Sequence, residues 1–139
     1  MTRFPDWPER LAAFLAQRSR QAGAWGVNDC ASTAFSAIAA ITGIDLWPLR
    51  QQYTTQKEGL QMVKDRWGGN LEEAVSQIFQ KAGYQPIPVL RAQRGDAVLL
   101  DGEEGPSLGV VGSDGVYVAA ARGFTVLPLR ACRRAWRVG

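Results

Sequence analysis

Through the first half of the chain, apolar residues recur at helical spacing. Leu11, Phe14 and Leu15 mark one face of a helix running to about Arg20. Its start carries Asp6 with Glu9 three residues on, a capping-box spacing, and Pro8 sits in the first turn. Gln21 to Asn28 reads as a loop containing Gly23 and Gly26. Asp29 then caps a second helix through Ala34, Phe35, Ile38 and Ile41, which Gly43 stops. A short helical piece is expected over Leu46 to Tyr53. A longer helix follows from about Thr55 to Arg66, with Leu60, Met62 and Val63 apolar, and Trp67-Gly68-Gly69 breaks it. Asn70 caps the next helix, whose buried stripe is Leu71, Ala74, Val75, Ile78 and Phe79. Glu72 and Glu73 suit its positive end, and Gly83 closes it.

After Pro86 and Pro88 the period changes. Short apolar runs at Ala97 to Leu100, Leu108 to Val111, Val116 to Ala119, Phe124 to Leu127 and Ala135 to Val138 are punctuated by Gly, Asp and Pro. That pattern predicts an antiparallel meander. Helices followed by strands predict one α+β domain over residues 1–139, with a helical part at about 6–83 packed on a sheet at about 86–139.

Composition narrows the chemistry. The chain has 139 residues, 46% hydrophobic and 21% charged, enough for a core without metal or disulfide staples. The near-apolar stretch Ala31 to Ile41 is about half the length a bilayer span needs, and no apolar signal core opens the chain, so a protein with no membrane span is expected. There is no histidine. That removes His-ligated zinc, a Ser-His-Asp triad and a Cys-His dyad, and neither a cofactor nor a metal is expected. Gly68-Gly69 and Gly102-Glu103-Glu104-Gly105 lack the spacing and lysine of a phosphate loop. The net charge is +3, and thirteen of the sixteen cations are arginine. Arg130, Arg133, Arg134 and Arg137 read as a solvated terminal strand and turn, with a protein interface as the alternative. No basic-aromatic interleaving points to nucleic acid. Of the five tryptophans, Trp47 and Trp67 lie at element ends and are expected to be the exposed ones.

Cys30 carries the chemical interest. It opens an apolar helix directly after Trp25-Gly26-Val27-Asn28-Asp29. A thiol there meets the positive end of the helix and its unpaired amides, which favour thiolate, so the place suits a nucleophile. A small buried packing residue is the other reading. Cys132 is expected to be a reduced thiol, like Cys30.

The segment Trp25-Gly26-x-x-Asp29-Cys30 resembles the nucleophile segment of NlpC-type cell-wall peptidases. Arg94-Gly95-Asp96-Ala97-Val98-Leu99-Leu100 resembles that family's first strand, Leu108 to Gly112 its second and Gly115 to Ala120 its third. The resemblance implies a papain-like fold with Cys30 as nucleophile and Trp25 and Asp29 shaping the cleft. It gives Asp96 a backbone-fixing part in the turn before a strand. Active members carry the general base just before the residue matching Leu108, and Ser107 stands there. Only Tyr117 offers a polar group where the base-orienting residue belongs. Serine accepts no proton near neutral pH, so of the dyad only Cys30 carries over.

The whole pattern, including Leu49 to Gly68 and the terminal Trp136-Arg137, resembles short proteins encoded in phage and prophage tail gene clusters. This implies an assembly component of a tail tip or baseplate, built on a degenerate peptidase. It would be made in the bacterial cytoplasm and carried in the virion tail, with hub or distal tail proteins as partners. The alternative is an active cysteine peptidase or amidase that opens peptidoglycan peptides during DNA entry. A third possibility is a module that holds peptidoglycan fragments.

Overall fold

The computed structural model describes residues 2–139. Four helices come first, α1 (Trp7–Arg18), α2 (Cys30–Thr42), α3 (Gln56–Trp67) and α4 (Leu71–Ala82). Six strands follow, β1 (Pro86–Ile87), β2 (Ala97–Gly102), β3 (Gly105–Val111), β4 (Val116–Ala119), β5 (Phe124–Leu127) and β6 (Arg134–Trp136). The fold is α+β, with helices N-terminal and an antiparallel sheet C-terminal.

The helix boundaries follow from local chemistry. Asp29 accepts the Ser32 amide at 2.8 Å, and Thr55 accepts the Glu58 amide at 3.2 Å. Asn70 and Glu73 form a reciprocal capping box at the head of α4. Gly43, Gly68 and Gly83 close α2, α3 and α4 in the left-handed conformation. The start of α1 differs from the sequence expectation. Asp6 makes no capping bond, because its carboxylate is taken by Arg10 at 2.7 Å. The helix also ends at Arg18 rather than Arg20, where the Arg18 side chain turns inward.

No helix forms over Leu46 to Tyr53; this segment is a pair of turns. Asp45 accepts the Trp47 amide at 3.0 Å and holds Arg50 at 2.6 Å, which fixes a turn around Pro48. Gln51 then takes a left-handed φ of 60°, with its amide on the Gly26 carbonyl at 2.8 Å. A helix cannot continue through that residue.

Strands β2 to β5 form the expected meander, but β6 returns to lie between β1 and β2, giving the order β1-β6-β2-β3-β4-β5. The return has a packing reason. Ala135 and Trp136 are buried on opposite faces, so β6 is an interior strand and not an edge. It begins and ends earlier than the apolar run suggests, and Val138 lies beyond it, bonded to side chains instead.

Strand β2 is buried on both faces, which explains its unbroken apolar run. Ala97 and Leu99 meet the helices, together with Leu108, Val110 and Trp136. Val98 faces the other way, with Val111, Val116 and Ala135, under one-turn segments at Val89–Arg91 and Leu129–Ala131. Phe35, Ile38, Ile41, Val75 and Phe79 supply the helical side of the main core. Side chains of this size contribute about 1.5–3 kcal/mol each on full burial. Trp47 is not exposed. It lies between Phe35, stacked at 5.1 Å, and Trp67, stacked at 5.9 Å, which shields one face of the half-buried Trp67 as well.

Nor are the C-terminal arginines simply solvated. Arg133 bridges Glu72 and Asp101, both at 2.9 Å, and Arg134 reaches Glu72 at 3.3 Å. Asp96 is fully buried and accepts four hydrogen bonds. Their donors are Arg3 Nη2 at 2.8 Å, the Gln93 amide at 2.9 Å, Arg137 Nε at 3.0 Å and the Val138 amide at 3.2 Å. This clasp ties both ends of the chain to the turn before β2. No helix among the described residues is long and apolar enough to cross a membrane.

Candidate functional site

A cleft of about 530 Å³ opens between the start of α2, helix α3 and the β2–β3 hairpin. It holds the four residues singled out in the sequence, Trp25, Asp29, Cys30 and Ser107.

The segment before α2 builds one wall. Asp29 Oδ1 caps the helix, while Oδ2 accepts the Gly26 amide at 2.7 Å and the Tyr53 hydroxyl at 2.6 Å. Gly26 has a φ of 81°, and a Cβ there would drive into the Tyr53 carbonyl oxygen. Only glycine fits. The Trp-Gly-x-x-Asp-Cys spacing thus describes a turn locked by its own aspartate onto Tyr53. The Tyr53 hydroxyl is pushed well above the ordinary phenol range, first by burial and then by its bond to Asp29. Ser32 Oγ and Trp47 Nε1 are buried without a close hydrogen-bond partner, and both face that hydroxyl at longer range.

Arg18 braces the same wall from behind. It is 3% exposed and meets no carboxylate. Its guanidinium donates to the Asn28 carbonyl at 2.8 Å, the Gln21 carbonyl at 2.9 Å, Thr33 Oγ1 at 3.2 Å and the Gly123 carbonyl at 3.3 Å. Gly23 donates to the Ala121 carbonyl at 2.8 Å, so the loop before α2 is joined to the chain beyond β4. Both segments line the cleft.

Strand β3 brings Ser107 and Leu108 against the thiol. The Ser107 hydroxyl and the Leu108 and Ala31 amides lie close enough to Cys30 to favour its thiolate. Burial pushes the thiol up from its ordinary value and the Asp29 charge adds to it, against these neighbours, although Cys30 is only half-buried and keeps some surface on the cleft. At Cys30 the helix start and burial therefore pull in opposite directions. Sequence shows the amides but not the desolvation. Ser107 lines the cleft beside Cys30, and it is no base.

Tyr117 does not join the site. Its hydroxyl donates to Asp114 at 2.9 Å, and its ring packs edge-on against Phe124. Cys132 lies on the opposite face of the sheet with Val98 and Ala135, its thiol pushed up by burial; both cysteines are free. No three His, Cys, Asp or Glu side chains among the described residues gather as a metal site.

Tyr53, Arg18 and Trp47 were not picked out from sequence as site residues. Tyr53 falls in the segment read as helix, and Arg18 has no acidic partner at helical spacing to mark it. Trp47 sits beside Pro48, where exposure is the natural reading.

At the coarsest level the molecule is an α+β domain with an unpaired cysteine at a helix start, on the floor of a cleft closed by a strand hairpin. Within that class, the chain belongs to the family described as a domain of unknown function, DUF6950, which matches residues 2–138. No curated protein matches the chain.

Proposed function

We propose that this domain is a catalytically silent relative of the NlpC-type peptidases, with a papain-like arrangement, working as an assembly component of a phage tail tip or baseplate. The observation that carries the silent half is that Ser107 lines the cleft with Cys30 where a base would stand, in a chain without histidine. A Cys nucleophile needs a base or a strong field to form thiolate, and the chain has no histidine to serve as the base. The tail setting rests on the resemblance of the sequence segments. The physical logic is that a cleft fold outlives its catalysis when its surfaces serve other contacts. The chain is then made in the bacterial cytoplasm and carried in the virion tail, bound to a hub or distal tail protein.

The test is reconstitution with purified hub and distal tail proteins, together with mass spectrometry of purified virions. A specific complex burying at least about 1,000 Å² and a fixed copy number per virion are expected. A chain that stays monomeric with those proteins and is absent from virions overturns the assembly reading.

A second reading, a cysteine peptidase or amidase acting on peptidoglycan peptides, is favoured by one observation. Cys30 opens α2 on the cleft, where the amides of the helix start are at hand for an oxyanion. It requires wall-degrading activity that Cys30→Ala abolishes.

A further inference from the structure

We propose that the cleft holds a cationic side chain, arginine or lysine, presented by an extended segment of a partner protein. Among the described residues, the cleft wall contains no lysine or arginine, although the chain has sixteen of them. Its charged residues are Asp29 and Glu104. Asp29 is bonded to neutral donors and offset by the helix end it caps. Glu104 is not offset. Its partner is the neutral Gln56 amide at 2.8 Å, and the exposed Glu103 stands next to it on the same hairpin tip.

The cations that reach α2 from outside the cleft are already occupied. Arg18 is wrapped in carbonyls, and Arg50 pairs with Asp45. The mouth is apolar and aromatic. Trp25 is 43% exposed and Leu60 50% exposed, and both line it. An exposed indole and an exposed carboxylate with no cationic partner, lining one cleft, are the combination that recognises a cation on an aliphatic stem. Deeper in, Trp47 and Tyr53 are buried and make the wall rigid and largely apolar. The volume fits a side chain and its flanking residues rather than a folded surface.

The inference rests on the cleft being non-catalytic, and not on the tail setting. The test titrates the isolated protein with acetylated, amidated Leu-Arg-Leu, Leu-citrulline-Leu and Leu-Glu-Leu and with free agmatine. It follows the tryptophan indole signals by NMR, and mass spectrometry checks the peptides afterwards. The arginine peptide is expected to bind saturably, at least about tenfold tighter than the citrulline or glutamate peptide or agmatine. Glu104→Gln and Trp25→Ala should each weaken it at least about fivefold, while Glu9→Gln, outside the cleft, should not. No saturation at millimolar peptide, or equal binding of the citrulline peptide, overturns the proposal. Agmatine binding as tightly as the peptide overturns the partner segment in favour of a small amine. A cleaved peptide instead overturns the silent-enzyme reading.

Discussion

Replacing Asp96 with Asn removes one acceptor from a fully buried carboxylate that accepts four hydrogen bonds. One amide oxygen can keep two of the donors. The other two, a backbone amide and an arginine N–H, then face an NH₂ group that is itself a donor. A buried unsatisfied backbone donor costs about 1–3 kcal/mol, and a buried ion pair broken from one side costs about 3–5 kcal/mol. The expected loss for Asp96→Asn is therefore about 3–5 kcal/mol. For a domain of this length that corresponds to a fall of roughly 10–20 °C in Tm. Arg137→Ala removes a partner that is 43% exposed and should cost under about 1 kcal/mol. Arg3→Ala should fall between the two, since Arg3 is 15% exposed and also lies over Trp7 at 4.4 Å. Urea and thermal unfolding followed by tryptophan fluorescence give all three values. An Asp96→Asn variant within 1 kcal/mol of the parent would refute the reasoning, as would a larger loss from Arg137→Ala than from Asp96→Asn.

Cys30 should alkylate slowly at neutral pH, with a midpoint above the ordinary thiol value of about 8.5; a full rate by pH 7 would show the desolvation argument to be wrong. The raised Cys30 and Tyr53 groups bind their protons more tightly folded than unfolded, so their contribution to stability is complete below the ordinary thiol and phenol ranges and is lost as pH rises through them. A Cys30→Ala/Tyr53→Phe double variant should flatten the alkaline fall in urea-measured stability, and an unchanged slope would count against this. Gly26→Ala should destabilise by at least about 2 kcal/mol, from backbone strain and the collision with Tyr53, as denaturation would show. Arg18→Met should take a donor from the Asn28 and Ala120 carbonyls, which lie on the two segments that Arg18 joins, and raise amide exchange at residues 21–28 and 120–123; protection equal to the parent would remove Arg18 as the brace.

Much of the fold is legible in the sequence because its punctuation is local. Asp29, Asn70, Gly43 and Gly83 act through backbone groups a few residues away, and the structure uses all four as their residue types suggest. The strand cores are legible for the same reason, since burial imposes the alternation. What escapes is whatever a distant group decides. Residues 46–53 have helical composition, but Asp45 and the tie from Gln51 to Gly26 fold them into turns. The place of β6 depends on which partner buries Trp136, and no spacing encodes that. At the site, the positions of Cys30 and Ser107 are readable from their motifs, while the burial that raises the thiol is not. It is set by how much of the cleft floor water reaches.

The Asp96 clasp has a mechanical consequence. Arg3 and Val138 are bonded to the same carboxylate, and Arg3 Nε also holds the Val138 carbonyl at 2.8 Å. Whatever is attached before residue 3 or after residue 138 therefore leaves from one spot. Tension applied through the two ends loads three short bonds at that spot before it reaches any strand of the sheet. The body of the domain would hang from its attachments like a pendant on a ring, free to swing its cleft without being stretched.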